Sequence, residues 1–441
     1  MKAKTLVTLL SISLAAAGCS DAPSEEKHDH GEAASPSTPG GGTNVGAGKT
    51  DGSAKPDAGS PPVVIEPNFL IEQDGKLLLG GPGGTDPTSD PSLPATNQQD
   101  MMLERYGTDG KIDRSFGTNG YAVLDFMGLP QERGMLVTDA AISAHIAPDG
   151  AILVAGFGGG SSFGGFSSFA ALARLLPDGK PDPAFGTGGR LLWRPDGADT
   201  LAQHMFRAVT TDAQGRIYAA GDDGEDDWVL RFSADGKIDT TFGGGALVEA
   251  DGKALGLFVT DQRIIHVERG YDASAFTFDG ALDTSFGEEG YFDGGDGVAS
   301  AVEQLPDGTI VMVGVNKSEE GSKGEFICKI VAISPAGTPA AYGSEGVVEI
   351  VIPTNTTIEV RGVSVAADLS VLIYYAEFGM PGLLRVTPNG ALDTSFGMRK
   401  FDFSTTVVDL SENRDQLFVL GHTAWIADSH APNGPLIESA L

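Results

Sequence analysis

The residues best equipped for chemistry fall in a few short stretches. Asp222-Asp223-Gly224-Glu225-Asp226-Asp227 packs five carboxylates into one segment. Oxygen-rich clusters suit calcium, though this spacing is not that of an EF-hand loop. The stretch reads either as a cation site built on Asp222, Asp223, Glu225, Asp226 and Asp227, or as a solvated acidic loop. The run Gly158-Gly159-Gly160-Ser161-Ser162-Phe163-Gly164-Gly165 lacks the lysine and the following helix that a phosphate cradle needs. Trp193, His204, His422, Trp425 and His430 could stack sugar rings, or could be scattered core and surface aromatics. His28-Asp29-His30 offers two imidazoles to a transition metal, or is simply a solvated stretch of chain. No nucleophile elbow, zinc-binding pair or dinucleotide fingerprint appears, and no residue is assigned a catalytic role.

A second constellation repeats. Arg105, Arg174, Arg231 and Arg385 each lie four residues before an Asp-Gly or Asn-Gly turn, and Asp113, Asp182, Asp239 and Asp393 each lie three before an aromatic residue. One copy keeps Asp283 but has Ala275 in the arginine position, and another has Ala332 and Pro339. Arginine thus never occurs without aspartate in these copies. The guanidinium fork fits a carboxylate bidentately, so each pair reads as a structural clamp within its repeat.

These pairs belong to a larger pattern. Asp279-Gly280-Ala281-Leu282-Asp283-Thr284-Ser285-Phe286-Gly287 returns as Asn389-Gly390-Ala391-Leu392-Asp393-Thr394-Ser395-Phe396-Gly397, with looser copies ending at Gly117, Gly186, Gly243 and Gly343. The aromatic landmarks Phe116, Phe185, Phe242, Phe286, Tyr342 and Phe396 are spaced by roughly 44 to 69 residues, enough for one small sheet per unit. Apolar runs alternate with Asp-Gly turns, the signature of type I′ hairpins, and no segment sustains a helical period. Each unit therefore reads as four strands, A to D, in two successive hairpins. Seven A–B turns can be placed against six aromatic landmarks, with Val63-Val64-Ile65 able to supply the missing D strand of the last unit. The expected fold is all-β: a β-propeller of seven four-stranded blades, with six or eight as the alternatives, closed by joining the two ends of the chain.

The Leu-Asp-Thr-Ser-Phe-Gly pattern resembles the delta-60 repeat family of bacterial surface and secreted proteins. The resemblance runs from about residue 62 to the end and implies a propeller-like architecture. That family brings no settled activity, so it assigns no catalytic residue.

Ahead of the repeats, Met1-Lys2-Ala3-Lys4 and the apolar run from Leu6 to Ala17 precede Gly18-Cys19. This is the layout of a secretory signal, and Ala16-Ala17-Gly18-Cys19 resembles a bacterial lipobox with Ala16 in place of the usual leucine. The reading is a lipoprotein signal peptide over 1–18, a Gly/Pro/Ser-rich tether over 19–61 and the propeller over 62–441, with lipid on Cys19. Ser20 after the cysteine carries no aspartate retention signal, which directs the expectation to the outer membrane or cell surface. With Cys19 lipidated, Cys328 has no disulfide partner and reads as a core residue.

The net charge of −31 disfavours nucleic acid and anionic headgroups as partners, leaving the lipid as the only membrane contact. It permits calcium and requires no other cofactor. In a four-stranded propeller the A–B and C–D turns share one face, and the more variable B–C and D–A connections share the other. Function is expected on that second face. The favoured reading is a monomeric binding or interaction module for a protein or glycan. The alternative is a propeller enzyme: a glycan hydrolase or lyase, or a quinone-type dehydrogenase.

Overall fold

In the computed structural model, the described residues run from 68 to 400 with breaks, the longer ones at 85–99, 127–135, 196–201 and 318–324; strands at 10–11, 64–65, 416–420, 423–427 and 437–440 lie outside that span. They form an all-β propeller with six four-stranded blades, each an antiparallel meander. Blade 1 comprises Phe69–Gln73, Lys76–Gly84, Asp100–Tyr106 and Tyr121–Leu124, and blade 2 Leu136–Ile146, Ile152–Ser162, Gly165–Leu175 and Arg190–Trp193. Blade 3 comprises Met205–Thr211, Ile217–Asp222, Asp227–Phe232 and Leu247–Ala250, and blade 4 Ala254–Val259, Ile264–Glu268, Ala273–Phe276 and Tyr291–Phe292. Blade 5 comprises Ala299–Gln304, Ile310–Lys317, Glu325–Ile333 and Val347–Pro353, and blade 6 Ile358–Val365, Val371–Glu377, Met380–Val386 and Arg399–Lys400.

The expected seven four-stranded blades are therefore corrected to six. Beyond blade 6 lies a sheet of three strands, Gln416–Leu420, Thr423–Ala427 and Ile437–Ala440. Val64–Ile65 does not complete it. Those residues pair antiparallel with Gly84 and Gly83 on strand B of blade 1. The upstream segment thus spends its hydrogen bonds on the first blade rather than on the last sheet. Leu10–Ser11, in the apolar run read as a signal, pair with Leu70 and Phe69 on the A strand of the same blade. The tether and most of the signal segment lie outside the described residues.

Successive A strands lie against one another, and core clusters bridge neighbouring blades. Central strands are buried on both faces, which is why Leu77-Leu78-Leu79 and Ile152-Leu153-Val154-Ala155 are continuous apolar runs rather than alternating ones. The turn chemistry departs from type I′ at most sites. Both central residues have positive φ at Asp74-Gly75, and again at Asn119-Gly120, Glu289-Gly290 and Glu345-Gly346 beyond the aromatic landmarks, but at Asp149-Gly150, Asp178-Gly179, Asp235-Gly236, Asp279-Gly280 and Asp307-Gly308 only the glycine does. At Ala147-Pro148-Asp149-Gly150, the Gly150 N–H donates to the Ala147 carbonyl at 2.8 Å, and the Ala147 N–H to Ala151 O at 2.8 Å. This is a type I turn followed by a left-handed glycine, the bulged alternative to the two-residue hairpin.

Candidate functional site

The two faces of the ring are built differently. On the A–B/C–D face the repeat residues are committed to the scaffold. Arg105 Nε donates to Asp113 Oδ2 at 2.9 Å, Arg231 Nε to Asp239 Oδ2 at 2.9 Å, and Arg385 Nε to Asp393 Oδ2 at 2.8 Å; Arg174 bonds Asp182 and also Asp149. The second aspartate oxygen holds the local turn, accepting from the N–H of Ser115, Ala184, Thr241, Ser285 or Ser395 at 2.9–3.1 Å. That turn role explains why Asp283 persists without an arginine at position 275. Its Oδ2 is met instead by Arg263, from the turn just before strand B of the same blade, at 3.2 Å. The hydroxyl of Ser395, and then Arg385, hold the Asp393 carboxyl well below the usual carboxylate range.

The arginines do more than close their own blade. Arg105 Nη1 donates to Pro177 O of blade 2 at 2.7 Å, and Arg231 Nη1 donates to Phe278 O of blade 4. Their guanidinium carbons lie 4.5 Å and 5.0 Å from the Phe116 and Phe242 ring centroids. A backbone bond accompanies them. The glycine after the aromatic donates to the C–D turn of the next blade: Gly117 to Asp178 O at 2.6 Å, Gly186 to Asp235 O at 2.9 Å, Gly243 to Asp279 O at 2.8 Å and Gly287 to Ala336 O at 2.9 Å. The repeat motif is thus a seam between blades as well as a clamp within one.

On the B–C/D–A face the acidic loop sits between strands B and C of blade 3. Its carboxylates do not converge. Asp222 is buried and bonded by Arg207, with Lys253 Nζ 3.8 Å away. Asp223 Oδ1 caps the loop's own turn, accepting from Glu225 N at 3.1 Å and Asp226 N at 2.8 Å. Glu225 and Asp226 are exposed. Burial, and then Asp222, push Asp227 up to about 6. Within this loop one carboxylate is neutralised by arginine and another is consumed by backbone amides, an arrangement that speaks against calcium there.

Of the five residues read as a sugar-stacking platform, Trp193 and His204 have described side chains, and the side chain of Trp425 in the last sheet is outside them. Trp193 stacks on Phe206 at 6.2 Å and meets Trp228 edge-on at 4.8 Å, within the apolar core shared by blades 2 and 3. His204 is fully buried, and burial lowers its pKa. His422 and His430 lie outside the described residues, as do Cys19 and the His28-Asp29-His30 stretch. Cys328 is free and buried, with its thiol pushed up to about 12 by desolvation.

The carboxylates that do converge are Asp100, Asp125 and Asp139, whose oxygens lie within 4.8 Å of one another. Asp100 opens strand C of blade 1, Asp125 follows its strand D, and Asp139 stands near the start of strand A of blade 2. All three are on the B–C/D–A face, where blade 1 hands over to blade 2. Asp139 Oδ2 accepts the Phe126 N–H at 2.9 Å. Burial, and then the Asp125 carboxylate, push Asp100 up to about 7. Sequence reasoning passed over this group because its members come from three strand ends in two blades, with no local spacing. The available signal was an acidic residue inside an apolar strand, Thr138-Asp139-Ala140.

A small recess of about 20 Å³ lies among the inner strands of blades 2 to 5. Arg207 and Ser143 are its polar members; Leu255, Leu257, Phe258 and Val302 form most of its wall.

The fold is that of a β-propeller, and the sequence comparison points the same way. Residues 147–185 and 214–242 match a family described as "Domain of unknown function (DUF5122) beta-propeller". Both segments fall on repeat units of blades 2 and 3, consistent with a bacterial propeller-repeat family. No curated protein matches the sequence. Among solved structures, a catalytically inactive virginiamycin B lyase from Staphylococcus aureus with quinupristin aligns at 14% identity and TM-score 0.42, over 87% of this chain and 97% of that one. The computationally designed Ika8 protein aligns at 11% identity and TM-score 0.36, over 87% and 98%. Hsv2 of Kluyvelomyces marxianus aligns at 12% identity and TM-score 0.33, over 65% and 69%.

Proposed function

We propose that this protein is a lipid-anchored lipoprotein of the bacterial cell envelope whose propeller serves as a binding module, held to the outer membrane or cell surface through Cys19. Its partner is a protein or a glycan, met on the B–C/D–A face. The observation that carries the choice of binding over catalysis is the recess among the inner strands. An enzyme acting on glycans, or a quinone-type dehydrogenase, needs polar groups converging there from several blades. Its wall is instead mainly apolar, with Arg207 and Ser143 as its polar members. Walls of that kind offer little to proton transfer, which leaves recognition to the connections of the B–C/D–A face.

The test is a binding screen of the detergent-solubilised full-length protein against glycan arrays and envelope proteins. A captured ligand should be lost on replacing residues of the B–C/D–A connections and kept on replacing residues of the Asp-Gly turns. Turnover of a glycan, or capture through the turn face, would sink the proposal.

A further inference from the structure

We propose that Asp100, Asp125 and Asp139 hold one divalent cation, preferentially calcium, that ties blade 1 to blade 2. The inference goes beyond the binding-module reading and does not depend on it. Three carboxylates from three strand ends have their oxygens within 4.8 Å of one another. An acidic cluster alone would carry little weight, since exposed carboxylates often gather without a metal. Here one member is enclosed. Asp100 is 5% exposed, and among the described residues no donor or cation meets its carboxylate. Asp125 and Asp139 have further polar partners, and the Phe126 N–H fixes Asp139. Among the described residues Asp100 is thus the acid left unserved, and its oxygens lie near those of two others. A buried carboxylate in that position either takes up a proton or gains a counter-charge, and three acid side chains converging on one point offer a cation its place.

The strands also leave room. Asp100 pairs across the sheet with Gly83, and Asp139 with Gly158. A side chain at either glycine would stand beside the carboxylate on the same face of the sheet. At Gly158 even a methyl group would come within 2.9 Å of Asp139 Oδ1. The glycine run that lacks the features of a phosphate cradle therefore has a second use, keeping space open beside an acid.

The ligand set selects the ion class. Three carboxylates with no His or Cys suit a hard cation rather than zinc or copper. Calcium–oxygen distances of about 2.3–2.6 Å place opposite ligands roughly 4.8 Å apart, whereas magnesium needs about 4.1 Å and near-ideal octahedral angles. Ligands fixed on rigid strand ends of two blades cannot readily adjust to octahedral geometry, and calcium tolerates irregular sets completed by water or backbone carbonyls.

The experiment uses the detergent-solubilised full-length protein, stripped with chelator and dialysed. Calcium alone is titrated by calorimetry and by thermal melting, with magnesium in parallel. The expected result is one calcium bound per chain, a rise in melting temperature, and a smaller response to magnesium. Asp100→Asn and Asp139→Asn should each abolish calcium binding and the rise. Asp223→Asn, Asp226→Asn and Asp227→Asn combined should retain both, because the acidic loop is not the site. Should Asp100→Asn fail to fold, Asp125→Asn at the rim carries the same expectation of loss. The proposal is overturned if millimolar calcium neither binds nor shifts the melt, if binding survives in Asp100→Asn, or if the loop variant is the one that loses it. An equal response to magnesium would overturn the choice of calcium.

Discussion

Replacing Arg231 with alanine should destabilise the propeller more than removing the charge of its partner Asp239. Arg231 is 7% exposed in its side chain and Asp239 28%. Arg231 contacts Asp239 Oδ2 through Nε at 2.9 Å and Nη2 at 2.7 Å, bonds Thr241 Oγ1 at 3.2 Å, donates to Phe278 O in the next blade and lies over the Phe242 ring. Breaking a fully buried pair costs about 3–5 kcal/mol, and the exposure of Asp239 lets water recover part of that. An unmet carbonyl adds about 1–3 kcal/mol and the lost ring contact about 0.5–1 kcal/mol. The sum, discounted for re-solvation and overlap between these terms, is about 2–4 kcal/mol for Arg231→Ala. Asp239→Asn leaves an oxygen for the Thr241 N–H and leaves the bond to Phe278 O intact, so its cost is about 1–2 kcal/mol. Arg231→Lys should not rescue, because an ammonium cannot serve the carboxylate and the neighbouring carbonyl with the same fork. The assay is urea denaturation at neutral pH, comparing midpoints at constant slope. If Asp239→Asn costs as much as Arg231→Ala, the arginine acts only within its own blade and the inter-blade argument fails.

Further outcomes follow from single residues. Cys19→Ser should shift the protein from the membrane to the soluble fraction or leave it unprocessed, since acyl chains contribute about 0.8 kcal/mol per buried methylene; fractionation with membranes and normal processing would refute lipidation. Gly280→Ala should cost several times more than Gly215→Ala in a thermal melt. Both have positive φ, costing about 1 kcal/mol for alanine, but the added methyl at Gly280 would overlap Gly243 and Phe242 of the preceding blade, while at Gly215 it meets nothing within 4 Å. Equal costs would mean that the seam can yield. Burial raises Glu104 from 4.5 to about 7, opposed by the Tyr106 hydroxyl. A raised carboxyl pKa contributes stability that is present below pH 4.5 and is lost as pH climbs toward 7, here on the order of 3 kcal/mol. Glu104→Gln should therefore flatten the stability profile between those values and be more stable than wild type at pH 8. An unchanged slope would remove Glu104 as its source.

The repeat architecture was legible because repetition aligns residues that do the same job. Arg105, Arg174, Arg231 and Arg385 stand eight residues before their aspartates each time, and antiparallel pairing across the C–D turn brings that spacing together. What repetition cannot display is the neighbour. The bond from Arg231 to Phe278 O links residues 47 apart, and its partner is a backbone carbonyl without any side-chain signature. The acidic loop misled for the complementary reason. Density of carboxylates is visible in a string of letters, but Arg207 lies 15 residues upstream, and its claim on Asp222 depends on the register of two strands. The Asp100, Asp125 and Asp139 group was hidden in the same way, assembled by the order of strands across two blades.

The seam bonds have a consequence for how such chains change in length. From blade 1 to blade 5 four successive seams join a glycine N–H on one blade to a turn carbonyl on the next, and Gly117, Gly186, Gly243 and Gly287 all use the same coupling. The coupler is indifferent to its position in the series, like identical carriage hooks along a train. An in-frame duplication of one unit would arrive with both halves of the hook and could be inserted without rewriting its neighbours. Blade number is then set by the wedge each sheet occupies and by whatever the two chain ends do, and no landmark in the motif counts it. That is why six aromatic signatures were compatible with a seven-bladed reading, and why the ends of the chain, where Val64–Ile65 joins the first blade, decide the architecture.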